Sequence, residues 1–176
     1  MTKWEIDTKH SEIHFKVKHM LISTVTGLFT TFEGTVDTEK PDSFAHASVY
    51  LTIDTNSVYT NEAYRDDHLK SSSFFDVAQY PHITFRSTSL EPKDKDGEFI
   101  LKGMLTIKDV TNEITLLAVF GGMAEEKNTT KAGFQVSGTL NRRHFGLSYN
   151  PLMEAGGMVL SEEIALIADV ELIKRS

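Results

Sequence analysis

The stretch TNEAYRDDHLKSSSFFDVAQYPHITFRS, residues 60–87, decides how the chain is read. It interrupts a protein that otherwise reads as strand after strand. Asn61 to Leu69 has helix-forming composition, with Thr60 or Asn61 placed to cap the first turn. Arg65, Asp66, Asp67 and His68 crowd four ionisable groups into one turn. Phe74 and Phe75 follow, Pro81 ends any helix before it, and from His82 the pattern becomes that of a strand. A short polar helix and an aromatic pair between two strands predict a flap over one end of a sheet structure.

On the N-terminal side of the flap, Ile13, Phe15, Val17 and His19 alternate with Glu12, His14, Lys16 and Lys18, the period-two signature of a strand with one wet face. Met20 to Thr24 breaks the alternation as a turn with apolar tips. Val25 to Asp37 reads as one long strand. Phe29 and Phe32 lie three apart, so a shared face requires a bend, which Gly27 and Gly34 are expected to supply. Phe44 to Asp54 alternates with Ala47, Val49, Leu51 and Ile53 inside.

Beyond the flap, His82 to Leu90 is a strand, and residues 91–97 form a charged hairpin loop closed by Asp96-Gly97. Phe99, Leu101, Leu105 and Ile107 share an apolar face. Ile114 to Phe120 is dense enough in apolar residues to be buried on both faces. Gly121 to Lys131 reads as a polar loop. Phe134, Val136 and Leu140 line one side of the next strand. Asn141 to Ser161 is irregular, with a short turn at Arg142 to Phe145 and a glycine-rich loop at Ala155-Gly156-Gly157. Ile164, Leu166, Ala168, Val170 and Leu172 give the last strand its inner face.

This pattern predicts an all-β fold: about eight antiparallel strands joined by short connections, closing into a barrel so that no sheet edge is left. A two-sheet sandwich is the alternative. No repeat or linker divides the chain, so residues 1–176 are expected to form a single domain. A net charge of −7 disfavours a binder that tracks nucleic-acid phosphates or docks by charge on anionic lipid. The absence of cysteine removes disulfides, thiolate metal sites and thiol nucleophiles. No apolar run reaches membrane-spanning length, and the N-terminus has no apolar signal region, which predicts a cytoplasmic protein.

Several blocks of residues carry a resemblance. Trp4, Asp7, His10-Ser11, Phe15, Val17 and His19 precede Val25-x-Gly27-x-Phe29-x-x-Phe32-x-Gly34. Arg65-Asp66-x-His68-Leu69 is followed by Phe74-Phe75-Asp76, Pro81 and Thr84-Phe85. Gly103-x-Leu105-Thr106-Ile107-x-x-Val110-Thr111 and Asn141-Arg142-x-x-Phe145-Gly146 come later. In that order they resemble the YceI-like family of polyisoprenoid-binding proteins over nearly the whole chain. The resemblance implies a lipocalin-like barrel with a helical flap and an elongated apolar interior. It also implies binding of a long-chain isoprenoid or similar amphipathic lipid, as carrier, store or sensor, with no catalysed reaction and no cofactor. Several members of the family are periplasmic.

For such a ligand the expected inward contacts are Phe15, Val17, Phe29, Leu51, Ile53, Phe85, Leu105, Ile107, Phe134 and Val136, with Ala47, Gly103 and Gly138 leaving space. The alternative is that these side chains only pack against one another. Leu69, Phe74 and Phe75 are expected to seal the mouth. Arg65 and His68 either meet a polar head group or, the preferred reading for Arg65, fix the flap by pairing with a nearby acid; Arg142 and Arg143 share that ambiguity. His19, on an apolar face, is read as a hydrogen-bonded interior histidine before a ligand contact.

Two other classes compete. A metal-dependent enzyme would draw on the seven histidines, with Asp7, His10 and His14 as an N/O ligand set or with the Asp66, Asp67, His68 cluster. No His-Glu-x-x-His motif, Gly-x-Ser-x-Gly elbow or phosphate-binding glycine loop accompanies them. A stress-related interaction module would use the barrel as scaffold, with the apolar tips, Met20-Leu21-Ile22 and Tyr149 to Met153, as a homodimer surface or a portal.

Overall fold

The computed structural model describes residues 1–20, 22–149 and 160–175. Eleven strands and one helix follow in order: β1 (Thr2–Ile6), β2 (Glu12–His19), β3 (Ser23–Phe29), β4 (Phe32–Thr38), β5 (Ser48–Asp54), β6 (Val58–Tyr59), α1 (Ala63–Lys70), β7 (His82–Pro92), β8 (Glu98–Ile107), β9 (Val110–Glu126), β10 (Thr129–Asn141) and β11 (Glu163–Lys174). Neighbours run β1-β4-β5-β7-β8-β9-β10-β11, and β11 returns to β1 through Trp4↔Lys174 and Ile6↔Leu172. The result is a closed antiparallel barrel of eight strands, the expected class, with no edge along that circuit.

One part of the wall is double. The C-terminal end of β11 pairs with β1, while its first half, Ala165 to Asp169, pairs with β2. β1 and β2 are therefore two pieces of one wall strand, and β3 and β4 are two pieces of the next. The expected single strand over Val25 to Asp37 is broken at Thr30 and Thr31. That break, not a glycine bend, turns both Phe29 and Phe32 inward, each buried. Thr30 N–H donates to Ser57 O (3.3 Å) and Asp54 N–H to Thr31 O (3.0 Å), so the interrupted backbone is satisfied across the wall. The glycines serve another purpose. A Cβ on Gly27 would lie 2.2 Å from Phe15 Cζ, and one on Gly34 2.6 Å from Ile6 Cδ1. Each glycine is the floor on which a large neighbour lies.

Two further expectations change, and one strand is added. The predicted loop over Gly121 to Lys131 is strand almost throughout: β9 and β10 run on to Glu126 and from Thr129, and turn at Lys127-Asn128 with φ of 50° and 64°, the left-handed pair a two-residue hairpin needs. Its exposed charged side chains hide the alternation that marks the other strands. Residues 114–120 are buried on one face only: Ile114 and Ala118 point in, while Leu117 and Val119 lie half-covered on the outside. The N-terminal residues form β1, whose Trp4 is fully buried and donates its indole N–H to Thr38 Oγ1 at 3.3 Å.

Strand direction fixes the two ends of the barrel. The turn after β4 carries Phe44 across one end, against Trp4 (5.0 Å between ring centroids) and Phe134 (4.9 Å). Phe120 stacks on Phe134 at 5.2 Å. This aromatic plug closes the barrel. The far ends of β2, β5, β8 and β10 lead to the opposite end, where α1 and the turn Arg142–Phe145 stand.

Candidate functional site: an apolar cavity with a basic mouth

Between plug and flap lies a cavity of about 500 Å³. Its wall is built by alternation: the inward residues of every long strand reach it, and many of them, such as Val17, Val136, Leu166 and Ala168, are only half-buried although they point into the barrel. That residual exposure is surface facing the lumen, so the side chains do not meet in the middle.

Phe15, Val17, His19, Phe29, Leu51, Ile53, Arg65, His68, Leu69, Phe74, Phe75, Phe85, Leu105, Ile107, Phe134 and Val136 all border the cavity. The space has a different origin from the one expected. Ala47, Gly103 and Gly138 do not border it. A Cβ on Gly103 would fall 2.4 Å from Phe85 Cζ, and one on Gly138 2.5 Å from Leu116 Cδ2. The glycines let large side chains lie flat against the wall instead of crossing the lumen. Sequence reasoning identified the inner face of β11 but did not assign it to the site, although Ile164, Leu166, Ala168 and Val170 form a side of the cavity. Phe44 was missed because its place depends on the course of a turn.

The mouth is organised by two arginines. In the flap, Glu62, not Thr60 or Asn61, caps α1, its carboxylate accepting from Arg65 N–H. Thr60 is instead the centre of a knot: its N–H and hydroxyl donate to Asp66 Oδ1 (2.7 and 2.5 Å), and Arg65 donates to its hydroxyl (2.8 Å) and carbonyl (2.6 Å). Arg65 therefore fixes the flap through Thr60, and among the described residues it forms no direct ion pair with an acid. The helix ends where Ser71 folds back on His68 O, and Phe75 N–H returns to Leu69 O at 2.9 Å. This aims Phe74 and Phe75 inward. Phe75 meets Phe29 edge-on at 5.8 Å, and His68, Phe74 and Tyr149 form a triangle of rings 4.9–5.2 Å apart.

Arg142 is buried at 3% exposure and borders the cavity. Asn141 caps its turn, and the guanidinium donates to four backbone carbonyls: Ser161 (2.9 Å), Leu147, Tyr149 (2.9 Å) and Leu160 (3.5 Å). Its hydrogen bonds are made without a carboxylate among the described residues. Burial pushes its pKa down from the ordinary value, opposed by the charge of Glu162. Arg143 turns outward to Glu162 at 3.1 Å. His19 is half-buried at the cavity, and no side-chain hydrogen bond links it to a described residue. Among the described residues no aspartate or glutamate borders the cavity, while Arg65, Arg142, His19 and His68 do. In a chain of net charge −7 this is a local reversal of sign.

The alternative ligand set is not assembled as expected. His14 Nε2 turns to Glu12 at 2.8 Å. Asp7 and His10 are joined by Glu171, on the outside of the barrel. Lys131 Nζ lies 3.0 Å from Glu171 and 3.9 Å from Asp7 and already supplies positive charge there. The hydrogen bond from His10 is the largest influence lowering the Asp7 pKa. Leu21 and residues 150–153 of the expected dimer surface, and the glycine-rich loop at 155–157, lie outside the described residues.

Comparison with known proteins agrees with this architecture. The model of the YceI-like domain matches residues 4–172. A UPF0312 protein of Staphylococcus aureus strain N315 is 33% identical over 173 residues, 97% of each chain. The crystal structure of a Campylobacter jejuni YCEI protein superposes with a TM-score of 0.77 at 32% identity, over 92% of this chain and 91% of that one. A polyisoprenoid binding domain from Saccharophagus degradans has the same fold, with a TM-score of 0.68 at 18% identity over 96% and 97% of the two chains. The closed eight-stranded barrel, its inserted flap and these matches over nearly the full chain place the protein in the YceI-like family.

Proposed function

We propose that this protein binds a long-chain isoprenoid or a similar single-chain amphiphile, with the apolar tail in the barrel and an anionic or strongly polar head at the mouth. The observation that carries the reading is the cavity. On the scale of about 24 cal/mol per Å³ measured for sealed engineered voids, a space of this size, if sealed and empty, would cost up to about 12 kcal/mol. That is as large as the whole stability of an ordinary domain, about 5–15 kcal/mol. A packing defect of that cost would not persist, whereas a tail that fills the space recovers roughly 25 cal/mol for each Å² taken out of water. The flap rings bound the entrance, and Arg142, Arg65 and His68 offer donors and charge to oxygens of a head group. The ligand class named for the Saccharophagus domain is a precedent for the same fold.

In this reading the protein is a non-catalytic carrier, store or sensor, acting in the cytoplasm. A homodimer through the apolar loop tips is the competing use of that surface. The test is organic extraction of purified protein followed by mass spectrometry. A stoichiometric isoprenoid or fatty-chain species supports the reading. A clean extract, together with failure of the stripped protein to bind cis-parinaric acid, overturns it.

A further inference from the structure

We propose that the rim around the mouth is a membrane-docking surface, with Met20 and Ile22 at the tip of the β2–β3 hairpin and Tyr64 on α1 entering the interface of a lipid bilayer. The proposal rests on the lipid-binding reading of the cavity. Ile22 is 87% exposed, Tyr64 81%, Met20 43% and Tyr149 40%. Scattered apolar side chains on a surface are ordinary, but these belong to one connected rim. Met20 follows His19, which borders the cavity and bridges to Leu160. Leu160 and Tyr149 are joined through the guanidinium of Arg142. Tyr149 meets His68 edge-on, and Tyr64 precedes His68 by four residues on the same stripe of α1.

The exposed apolar surface is thus continuous with an apolar lumen, and this continuity identifies the partner. A tail that leaves the barrel through water exposes its whole length, whereas a rim seated in a bilayer passes it from one apolar medium to another. The residue types suit that position: Tyr presents an apolar ring and a polar hydroxyl at the headgroup level, and Ile and Met offer aliphatic surface. The barrel itself stays outside the bilayer, since the rim consists of a hairpin tip and a short helix. The rim elements carry Lys18 and Lys70 alongside Glu62 and Asp67, two charges of each sign. Docking is therefore driven by apolar contact and survives salt that screens exposed charges.

The experiment uses the full chain with phosphatidylcholine vesicles, read by co-sedimentation at about 0.1 M and about 1 M salt, and by the rate at which a pyrene-labelled fatty acid leaves the vesicles. Ile22→Asp and Tyr64→Asp are compared with the wild type, singly and together. Neither residue borders the cavity, and both side chains are exposed, so the unfolding midpoint and the equilibrium binding of monomeric cis-parinaric acid are expected to stay at wild-type values. Each substitution is expected to weaken vesicle partitioning about tenfold and to slow transfer in proportion. Uptake of the monomeric probe without vesicle binding by the wild type refutes the docking alone. Vesicle binding without probe uptake refutes the cavity reading and leaves the docking. Variants that partition like the wild type, or a wild-type dimer that the same substitutions dissociate, overturn the proposal.

Discussion

Replacing Ala168 by leucine separates a lumen held open from an interior that is packed. Ala168 lies on β11 between Leu166 and Val170, paired with Val136 on one side and Ile13 on the other, and is half-buried although it points into the barrel. Leucine adds three carbon groups. If they enter free space beside other apolar groups, burial at ~0.8 kcal/mol per group stabilises by about 2.4 kcal/mol. Ordering the new side chain costs about 0.5–1 kcal/mol, which leaves about 1.5 kcal/mol net. For a chain of 176 residues, at ~2–4 °C per kcal/mol, the melting temperature of stripped protein rises by about 3–6 °C. In a filled interior the same atoms overpack and cost ~1–3 kcal/mol, so the melting temperature falls. The two accounts differ in sign. Calorimetry of stripped protein reads the first effect. Titration with cis-parinaric acid reads the second, a weaker affinity for the tail. A lower melting temperature for Ala168→Leu would refute the claim that the middle of the barrel is open at this strand.

Other outcomes follow from particular contacts. Gly103→Ala places a methyl 2.4 Å from Phe85 Cζ and 2.7 Å from the Arg86 carbonyl oxygen; chemical denaturation should show a loss of about 2 kcal/mol or more, which Phe85→Leu only partly relieves because the carbonyl stays in place. Arg142→Lys keeps the charge but loses the fork that holds four carbonyls; the expected cost is about 2–4 kcal/mol in denaturant titration, with a drop in affinity for chains bearing a carboxylate or phosphate head. The lowered pKa of Asp7, caused first by its hydrogen bond with His10, contributes stability that is present above its unfolded value of about 3.9 and is lost as pH falls through the folded value. The midpoints of Asp7→Asn and wild type should therefore differ near pH 7 and converge in acid.

Much of the barrel was legible because its cause is local. Ile13, Phe15 and Val17 alternate with charged neighbours, and the pleat alone sends them to one face. The Lys127-Asn128 hairpin was less legible, since two exposed strands in water need no apolar alternation and the turn uses residues other than glycine. β1 escaped notice because five residues are too few to establish a period, although Trp4 is among the most buried side chains. The glycines misled in an instructive way. Their smallness suggested room, but cross-strand neighbours occupy it, as Phe15 does over Gly27.

The sequence by itself determined the all-β class, the inward face of most strands, the flap between two of them and the family, since each depends on residue order within a short span or on motifs in series. Tertiary structure alone decided that the walls stand apart around an open space, that Phe44 plugs one end, and that Arg65 and Arg142 both border the cavity with no acid on its surface among the described residues. These depend on closure of β11 against β1, a contact between the two ends of the chain that sets the circumference of the barrel. No local pattern encodes that circumference, because the same alternating strands would also pack as a filled sandwich.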